Sequence, residues 1–328
     1  MMTPKQQVLA LLTSIETVEA GAGSVTRSLM WILTRSAVPV LALVLTGTFS
    51  GPVAAQSVQA PAVDCDRACL ERVMDDFVKA MTTGKTASVP LAQEAEIREN
   101  AKVVALDATA WRQVKAVRSV MTFADPVTGN VVSRAGVELA DRKPGYISTR
   151  LKVVPGGRIT DVEIAVDTSA RVVGSYVWNL DPQLAAVLPP DQRISRVALE
   201  ALGRRYFHAL STHQPVAADF DDANCNRFHS GQQITNAGQN TVEGGPPRTC
   251  VASMEGDRPW GPATEQRFPV IDEERGLVFG ITLLHYLKSP DQRVMCVSEV
   301  FKVVGGKIVK IDNIGLMMQG ITTLGFAH

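Results

Sequence analysis

The chain has 328 residues, of which 45% are apolar and 20% charged, and its 33 basic residues balance its 33 acidic ones. That length gives about two domains at roughly 100–200 residues each, and the composition is that of a globular chain, not a disordered one. A nucleic-acid surface needs a basic stripe, and neither the zero net charge nor any Lys/Arg block provides one.

Residues 1–55 read as a secretory signal peptide with an upstream extension. Arg27 and Arg35 precede the apolar run from Ala37 to Thr46, and Val53-Ala54-Ala55 offers small residues for cleavage before Gln56. The run falls short of the about 20 residues a membrane span needs, so a cleaved signal is favoured over an uncleaved anchor. Met30 serves equally well as a start. The expected location is periplasmic or secreted, with no stable membrane span after cleavage.

Export makes the five cysteines readable as disulfides. Cys65 pairs with Cys69 across a helix start, and Cys225 with Cys250 across a Gly/Asn/Pro-rich loop. Cys296, in an apolar strand, stays free and buried. A metal site is not expected, because a structural zinc needs two close ligand pairs and only Cys65 and Cys69 are close. Asp221-Asp222 with Asn224 and Asn226 lacks the glycine and closing glutamate of a calcium loop and reads as a turn.

From Cys69, the residues Leu70, Val73, Met74, Phe77, Val78 and Met81 recur at helical spacing. A short strand at Ala95–Asn100 and a short helix at Thr109–Val114 follow. Four strands come next: Val120–Asp125, Val131–Leu139, Tyr146–Val154 and Ile159–Val166. The last two flank Gly156-Gly157, a dipeptide that tolerates the positive φ of a hairpin turn. A proline-bearing linker, 169–193, separates this first domain (64–168) from a second (194–320).

The second domain repeats the first. Leu199 to Leu210 restates Leu70 to Met81, with Tyr206 at the place of Phe77. Asp272-x-x-x-Gly276 matches Asp125-x-x-x-Gly129, and His285 follows Asp272 at the interval by which Glu138 follows Asp125. Phe301-Lys-Val-Val-Gly-Gly-Lys-Ile restates Leu151-Lys-Val-Val-Pro-Gly-Gly-Arg-Ile, so that Asp312 matches Glu163. The expected fold is α+β: two tandem cone-shaped domains, each a curved antiparallel sheet wrapped around N-terminal helices. The open end of such a cone is a natural ligand pocket.

Several motifs carry a resemblance. Cys65-Asp-Arg-Ala-Cys-Leu70, Arg98-Glu-Asn100, Phe123-Ala-Asp125, Cys225-Asn-Arg227, Thr235-Asn236 and Arg267-Phe-Pro-Val-Ile-Asp272 resemble an exported tandem nuclear transport factor 2-like (SnoaL-like) double-domain family of bacteria and fungi. The likeness runs from about residue 64 to 315. Where relatives tend to carry Arg-x-Glu-Asn-Gly, this chain has Arg227-Phe-His229-Ser230-Gly231. The resemblance implies cone domains and pairing through the open sheet face. Two repeats in one chain would make that pair internally and leave a monomer.

His285 and His229 are the acid/base candidates, because imidazole titrates near neutral pH. Strand alternation puts His285 on one face with Leu283 and Leu287, as a pocket base or as a hydrogen-bonded core histidine. His229 follows the first strand of its repeat, near the cone mouth or on a disulfide-tied loop. Asp312 and Tyr206 could polarise a carbonyl or leaving group. Glu163 and Asp312 are buried carboxylates if they face inward and ordinary strand residues if they face out. Glu99, Asn100, Glu138 and Arg150 form a comparable polar set, with Arg227 and Asn236 in the second half. Trp111 reads as a lid or core residue.

No phosphate loop, dinucleotide fingerprint or Gly-x-Ser-x-Gly is present, so no cofactor is expected. The first reading is a pocket protein for a small apolar or carbonyl-bearing molecule, with cofactor-free lyase, dehydratase or isomerase chemistry. The alternative is a non-catalytic ligand-binding or interaction module.

Overall fold

A computed structural model describes residues 65–237, 248–256, 259–288 and 290–326; the expected signal segment at 1–55 lies outside them. The first repeat opens with helix α1, Arg67–Thr82. Asp66 caps it by accepting the Cys69 N–H at 2.8 Å, which satisfies one of the donors a helix start leaves unpaired. The Cys65–Cys69 disulfide closes over the same turn. Leu70, Met74, Phe77, Ala80 and Met81 are buried, the apolar stripe that the helical spacing predicts.

Six strands follow: β1 Leu91–Glu99, β2 Lys102–Val103, β3 Val114–Asp125, β4 Asn130–Leu139, β5 Pro144–Val154 and β6 Arg158–Asp167. Their order in the sheet is β2-β1-β6-β5-β4-β3. Gly156 and Gly157 both take positive φ, at 84° and 70°, as the hairpin between β5 and β6 requires. Register shifts between Val114 and Ala116 and between Val117 and Ser119 are bulges that bend β3. They curl the sheet around α1 without closing it. The expected helix near Trp111 is a single 3₁₀ turn, Ala110–Gln113.

The second repeat begins at helix α3, Arg196–Thr212, after the short α2, Gly174–Val177, in the linker. Its strands are β7 Asn226–His229, β8 Gln232–Gln233, β9 Trp260–Asp272, β10 Leu277–Tyr286, β11 Val294–Val304 and β12 Lys307–Met318. The order β8-β7-β12-β11-β10-β9 reproduces the first sheet. The fold is α+β, in two tandem curved-sheet domains.

The sheets are mixed, in contrast to the antiparallel expectation. β1 runs parallel to β6 and β7 parallel to β12. Alternation of apolar residues marks a strand but not its partner, and here the first strand of each repeat covers what would be the open edge of the last.

Each sheet buries both faces. The inner face of the first packs Ile147, Leu151, Val153, Val162 and Ile164 against α1. The inner face of the second packs Val297, Phe301 and Ile311 against Leu199, Tyr206 and Phe207 of α3. The outer faces meet each other, where Phe123, Val132 and Tyr146 share a core with Phe279, Ile281, Cys296 and Ile314. The two domains therefore pair inside one chain.

The linker is part of this third core, not a tether. Val172, Val177, Leu180 and Leu184 are buried in it, each contributing about 1.5–3 kcal/mol if fully transferred from water. Among the described residues, no helix is long and apolar enough to cross a membrane. The two disulfides, Cys65–Cys69 and Cys225–Cys250, suit an oxidising compartment, and Cys296 is free and buried.

Candidate functional site in the second domain

Strand alternation decides which side chains enter each cone. In the second sheet, β7 turns Arg227 and His229 inward, β11 turns Met295, Val297 and Glu299, and β12 turns Ile311, Asn313 and Gly315. Leu210, His213, Arg227, His229, Ser253, Met254, Trp260, Leu284, Met295, Val297 and Asn313 line a cavity of about 40 Å³. That volume is well below the about 300–1,000 Å³ of drug-sized ligand sites, so the enclosed part of the cleft takes a small group and the rest of a ligand would lie towards its open mouth. Its wall is half apolar and half polar, with two imidazoles, a guanidinium and an amide.

His213 reaches the cavity because α3 ends on it, in the left-handed conformation at φ 60°. Its Nε2 lies 3.1 Å from the Trp260 carbonyl, and His229 Nε2 lies 3.1 Å from the Gly315 carbonyl. A carbonyl only accepts, so Nε2 carries a proton in both contacts, and in the neutral ring the second nitrogen, Nδ1, is the acceptor. The basic atom of His229 is thus Nδ1.

Glu299 sits beside Asn313, its register partner on β12, and is fully buried. The Tyr206 hydroxyl donates to its Oε1 at 3.0 Å. Burial pushes the carboxyl above the usual carboxylate range; Arg227, Asn313, Tyr206 and His229 pull the other way without offsetting it. The Arg227 guanidinium lies 6.0 Å from the centre of the Tyr206 ring. His229 lines the cavity and Glu299, beside Asn313 of its lining, is a carboxyl that burial makes a weaker acid; groups of these two kinds can accept and donate a proton without a cofactor.

The first domain's cone differs at every one of these places. Glu99 pairs with Ile164 in β6 as His229 pairs with Asn313 in β12. By that register Ile97 stands where Arg227 does, Glu99 where His229 does, and Ile164 where Asn313 does. Thr149 occupies the place of Glu299, and Phe77 that of Tyr206. Trp111 fills the space, fully buried, with its Nε1–H donated to Thr149 Oγ1 at 3.1 Å. It is a core residue. Glu99 accepts the Ala110 N–H at 2.7 Å, and burial raises its carboxyl against that bond.

Of the expected catalytic set, His229 lines this cavity and Tyr206 lies in the same interior, bonded to Glu299, while His285 and Asp312 do not face it. His285 shares its face with Leu283, as alternation predicts, but that is the outer face; Leu284 is the residue that lines the cavity. His285 sits at the strand end, with its Nε2 3.0 Å from Thr264 Oγ1. Asp312 also faces outward, into the buried joint between the domains. There it accepts the Tyr146 hydroxyl at 2.8 Å and the Tyr176 hydroxyl at 2.6 Å, with Arg134 bonded to its backbone carbonyl.

Glu163, its counterpart, is in the same joint. Burial alone would raise this carboxyl, but Arg150 and Arg267 hold it below the ordinary value, with bonds of 2.7 and 2.6 Å. Asn100 and Glu163 share a small cavity between the two sheets, and the remaining expected ligand residues do not converge. Glu138 pairs with Arg118, Asn100 bonds the backbone of Val166, and Asn236 ties its loop to the Cys225 carbonyl at 2.8 Å. Among the described residues, no cluster of side chains could hold a metal.

Glu299 and Asn313 escaped the sequence reading, although a signal existed. Glu299 interrupts the inward series Met295, Val297, Phe301 with a carboxylate, where the first repeat has only Thr149.

No curated protein sequence matches the chain. A crystal structure from Kribbella flavida DSM 17836 is similar at 16% identity over 29% of this chain and 84% of that one, with a TM-score of 0.26. A de novo designed protein with a curved β-sheet is similar at 20% identity over 35% of this chain and 99% of that one, also at 0.26. Residues 192–315, the second repeat, match the family model of a domain of unknown function (DUF8021).

Proposed function

We propose that this is an exported pocket protein of the nuclear transport factor 2-like kind. Its second domain binds a small, mostly apolar, carbonyl-bearing molecule and moves a proton on it without a cofactor, as a lyase, dehydratase or isomerase does. One observation carries the reading. The two cones share a fold and each holds a raised carboxyl, Glu99 or Glu299, yet among the described interiors the second alone adds a histidine, an arginine and an amide where the first holds Thr149 and aliphatic residues around Trp111. A purely structural duplication has no use for that difference. His229 Nδ1 is the base, and Glu299 with Tyr206 forms the acidic side.

The first domain fits the alternative of a non-catalytic module, since Trp111 and aliphatic side chains occupy its inner face, and it serves here as the partner that covers the second sheet's outer face. The test needs no known substrate. Small ketones are incubated with the protein in D₂O, and exchange of the protons next to the carbonyl is followed by NMR. The reading expects exchange faster than in buffer, lost in His229→Ala and retained in His285→Ala. Ketones that bind without accelerated exchange would establish the binding module instead.

A further inference from the structure

The second-domain cavity is divided by exposure. Leu210, Met254, Leu284, Met295 and Val297 are buried and give it an apolar floor, broken only by Asn313. His213, Arg227 and His229 belong to the half-buried part of the lining, and no carboxylate lines the cavity among the described residues. Glu299 stands behind this wall on β11 and attracts Arg227 and His229, one buried acid set against three basic side chains.

The first repeat has none of these three bases. Counting from the matched leucines, Leu70 and Leu199, His213 stands where the first repeat has Gly84. Both take the left-handed conformation, at φ 60° and 72°, which glycine adopts without strain and a side chain only at a cost. A histidine is thus kept where the repeat also accepts glycine. By register, Arg227 stands where Ile97 does and His229 where Glu99 does. Three positions, one at a helix end and two on a strand, therefore differ from their counterparts in the same direction of charge, and all three line one cavity. Packing alone gives no reason for a glycine, an isoleucine and a glutamate to be answered by three bases.

We propose that the second-domain cavity binds a small carboxylate, selected by Arg227 at the half-buried side and carrying a short hydrocarbon end that lies on the apolar floor. A guanidinium presents a planar pair of N–H donors that matches a carboxylate in two parallel bonds. A bound anion also favours the charged form of a nearby imidazole, so the group that anchors the ligand makes His229 the stronger base. The small enclosed volume limits the hydrocarbon end to a few carbons. The inference rests on the cavity being the binding site and narrows its carbonyl compound to a short-chain oxo acid.

The test is NMR titration of the full chain with two probes that differ only in the anion, 4-oxopentanoate and pentan-2-one. 4-Oxopentanoate should bind at least about tenfold tighter, since hydrogen bonds to charged groups are the stronger ones, with shifts at the methyls of Met254 and Met295. Arg227→Met should abolish that preference and Arg227→Lys should keep part of it, because the ammonium retains the charge without the fork. His213→Gly, which restores the residue of the first repeat, should weaken the preference. Arg204→Met, on the surface, should leave it intact. Equal binding of the two probes by wild type, or a preference that survives in Arg227→Met, overturns the carboxylate site while the cavity reading stands. If neither probe shifts Met254 or Met295, both fall together. If 4-oxopentanoate binds as expected but its exchange in D₂O is no faster than in buffer, the carboxylate site stands and the proton-transfer reading falls.

Discussion

Arg196, the first residue of α3, holds Asp125 of the other domain with both terminal nitrogens, at 3.0 and 2.6 Å. Arg67, the first residue of α1, does the same to Asp272, at 2.5 and 3.1 Å. Each arginine also donates to the carbonyl preceding the matching aspartate in its own domain, Ile271 for Arg196 and Ala124 for Arg67. The repeat pair Asp125 and Asp272, visible in the sequence as a recurring turn, is thus the exchange point of a twofold-like handshake between the halves. Both carboxylates are fully buried, and both arginines are about a quarter exposed. Removing Arg196 leaves the buried Asp125 with backbone donors only, which costs more than a surface pair is worth, whereas Asp272 without Arg67 would keep Arg275 at 3.1 Å. Arg196→Ala should lower stability by about 2–3 kcal/mol, read by urea denaturation. A loss as small as that of Arg204→Ala, whose pair with Glu200 is on the surface, would contradict the account.

Lys302 gives a pH signature to the joint between linker and second domain. Its Nζ donates to the carbonyls of Ala186 and Arg275, both at 2.6 Å. Burial brings the ammonium down from 10.5 to about 8, with Arg275 adding to the effect and Asp272 opposing it. The folded value lies below the unfolded one, so between about 8 and 10.5 the unfolded chain binds more protons and this lysine's contribution to stability rises with pH. Thermal unfolding of wild type should therefore gain stability relative to Lys302→Met from pH 8 to pH 9.5. A constant difference across that range would show that the lysine is not depressed.

The opposite sign applies to Glu299. Its folded carboxyl is raised, so its contribution is intact below the ordinary carboxylate value and declines as pH rises through the folded one. Glu299→Gln mimics the neutral acid. It should match wild type in stability near pH 4.5 and exceed it at pH 8, while weakening any proton transfer. A variant less stable than wild type at pH 8 would mean that the carboxylate is favoured where it sits.

The two disulfides should differ in worth. Cys225–Cys250 spans 25 residues and Cys65–Cys69 only 4. Loop-closure entropy predicts about 3 kcal/mol for the longer and less for the shorter. Cys225→Ser with Cys250→Ser should be the more destabilised double variant, and because Cys250 anchors the turn that leads into Ser253 and Met254 of the cavity wall, it should also lose ligand binding.

Much of the fold was legible because duplication prints itself in sequence. The Gly-Gly turns, the helical stripes and the recurring Asp-x-x-x-Gly placed both long helices and the hairpins that repeat, while β1 and β3 run longer than they read and β9 was not placed. What alternation could not say is which face of each strand was inner. A cone buried on both faces gives near-continuous apolar strands, so His285 and Asp312 looked as inward as any residue, and only the pairing of the outer faces settles them. The parallel first strands were illegible for a related reason, since a four-residue strand such as β7 carries no mark of its neighbour. Glu299 and Asn313 were hidden differently. Each is one polar residue in an apolar run, and its meaning lies in the contrast with Thr149 and Ile164, which register makes plain and periodicity does not.

The most direct test of the central claim, that the second cone and not the first is the binding site, is methyl-labelled NMR of the full chain titrated with small ketones. The account predicts shifts at Leu210, Met254, Leu284, Met295 and Val297, with Leu70, Met74, Ile147 and Val153 of the first interior unmoved. Shifts centred on the first interior, or on Phe279, Ile281 and Ile314 between the domains, would contradict it.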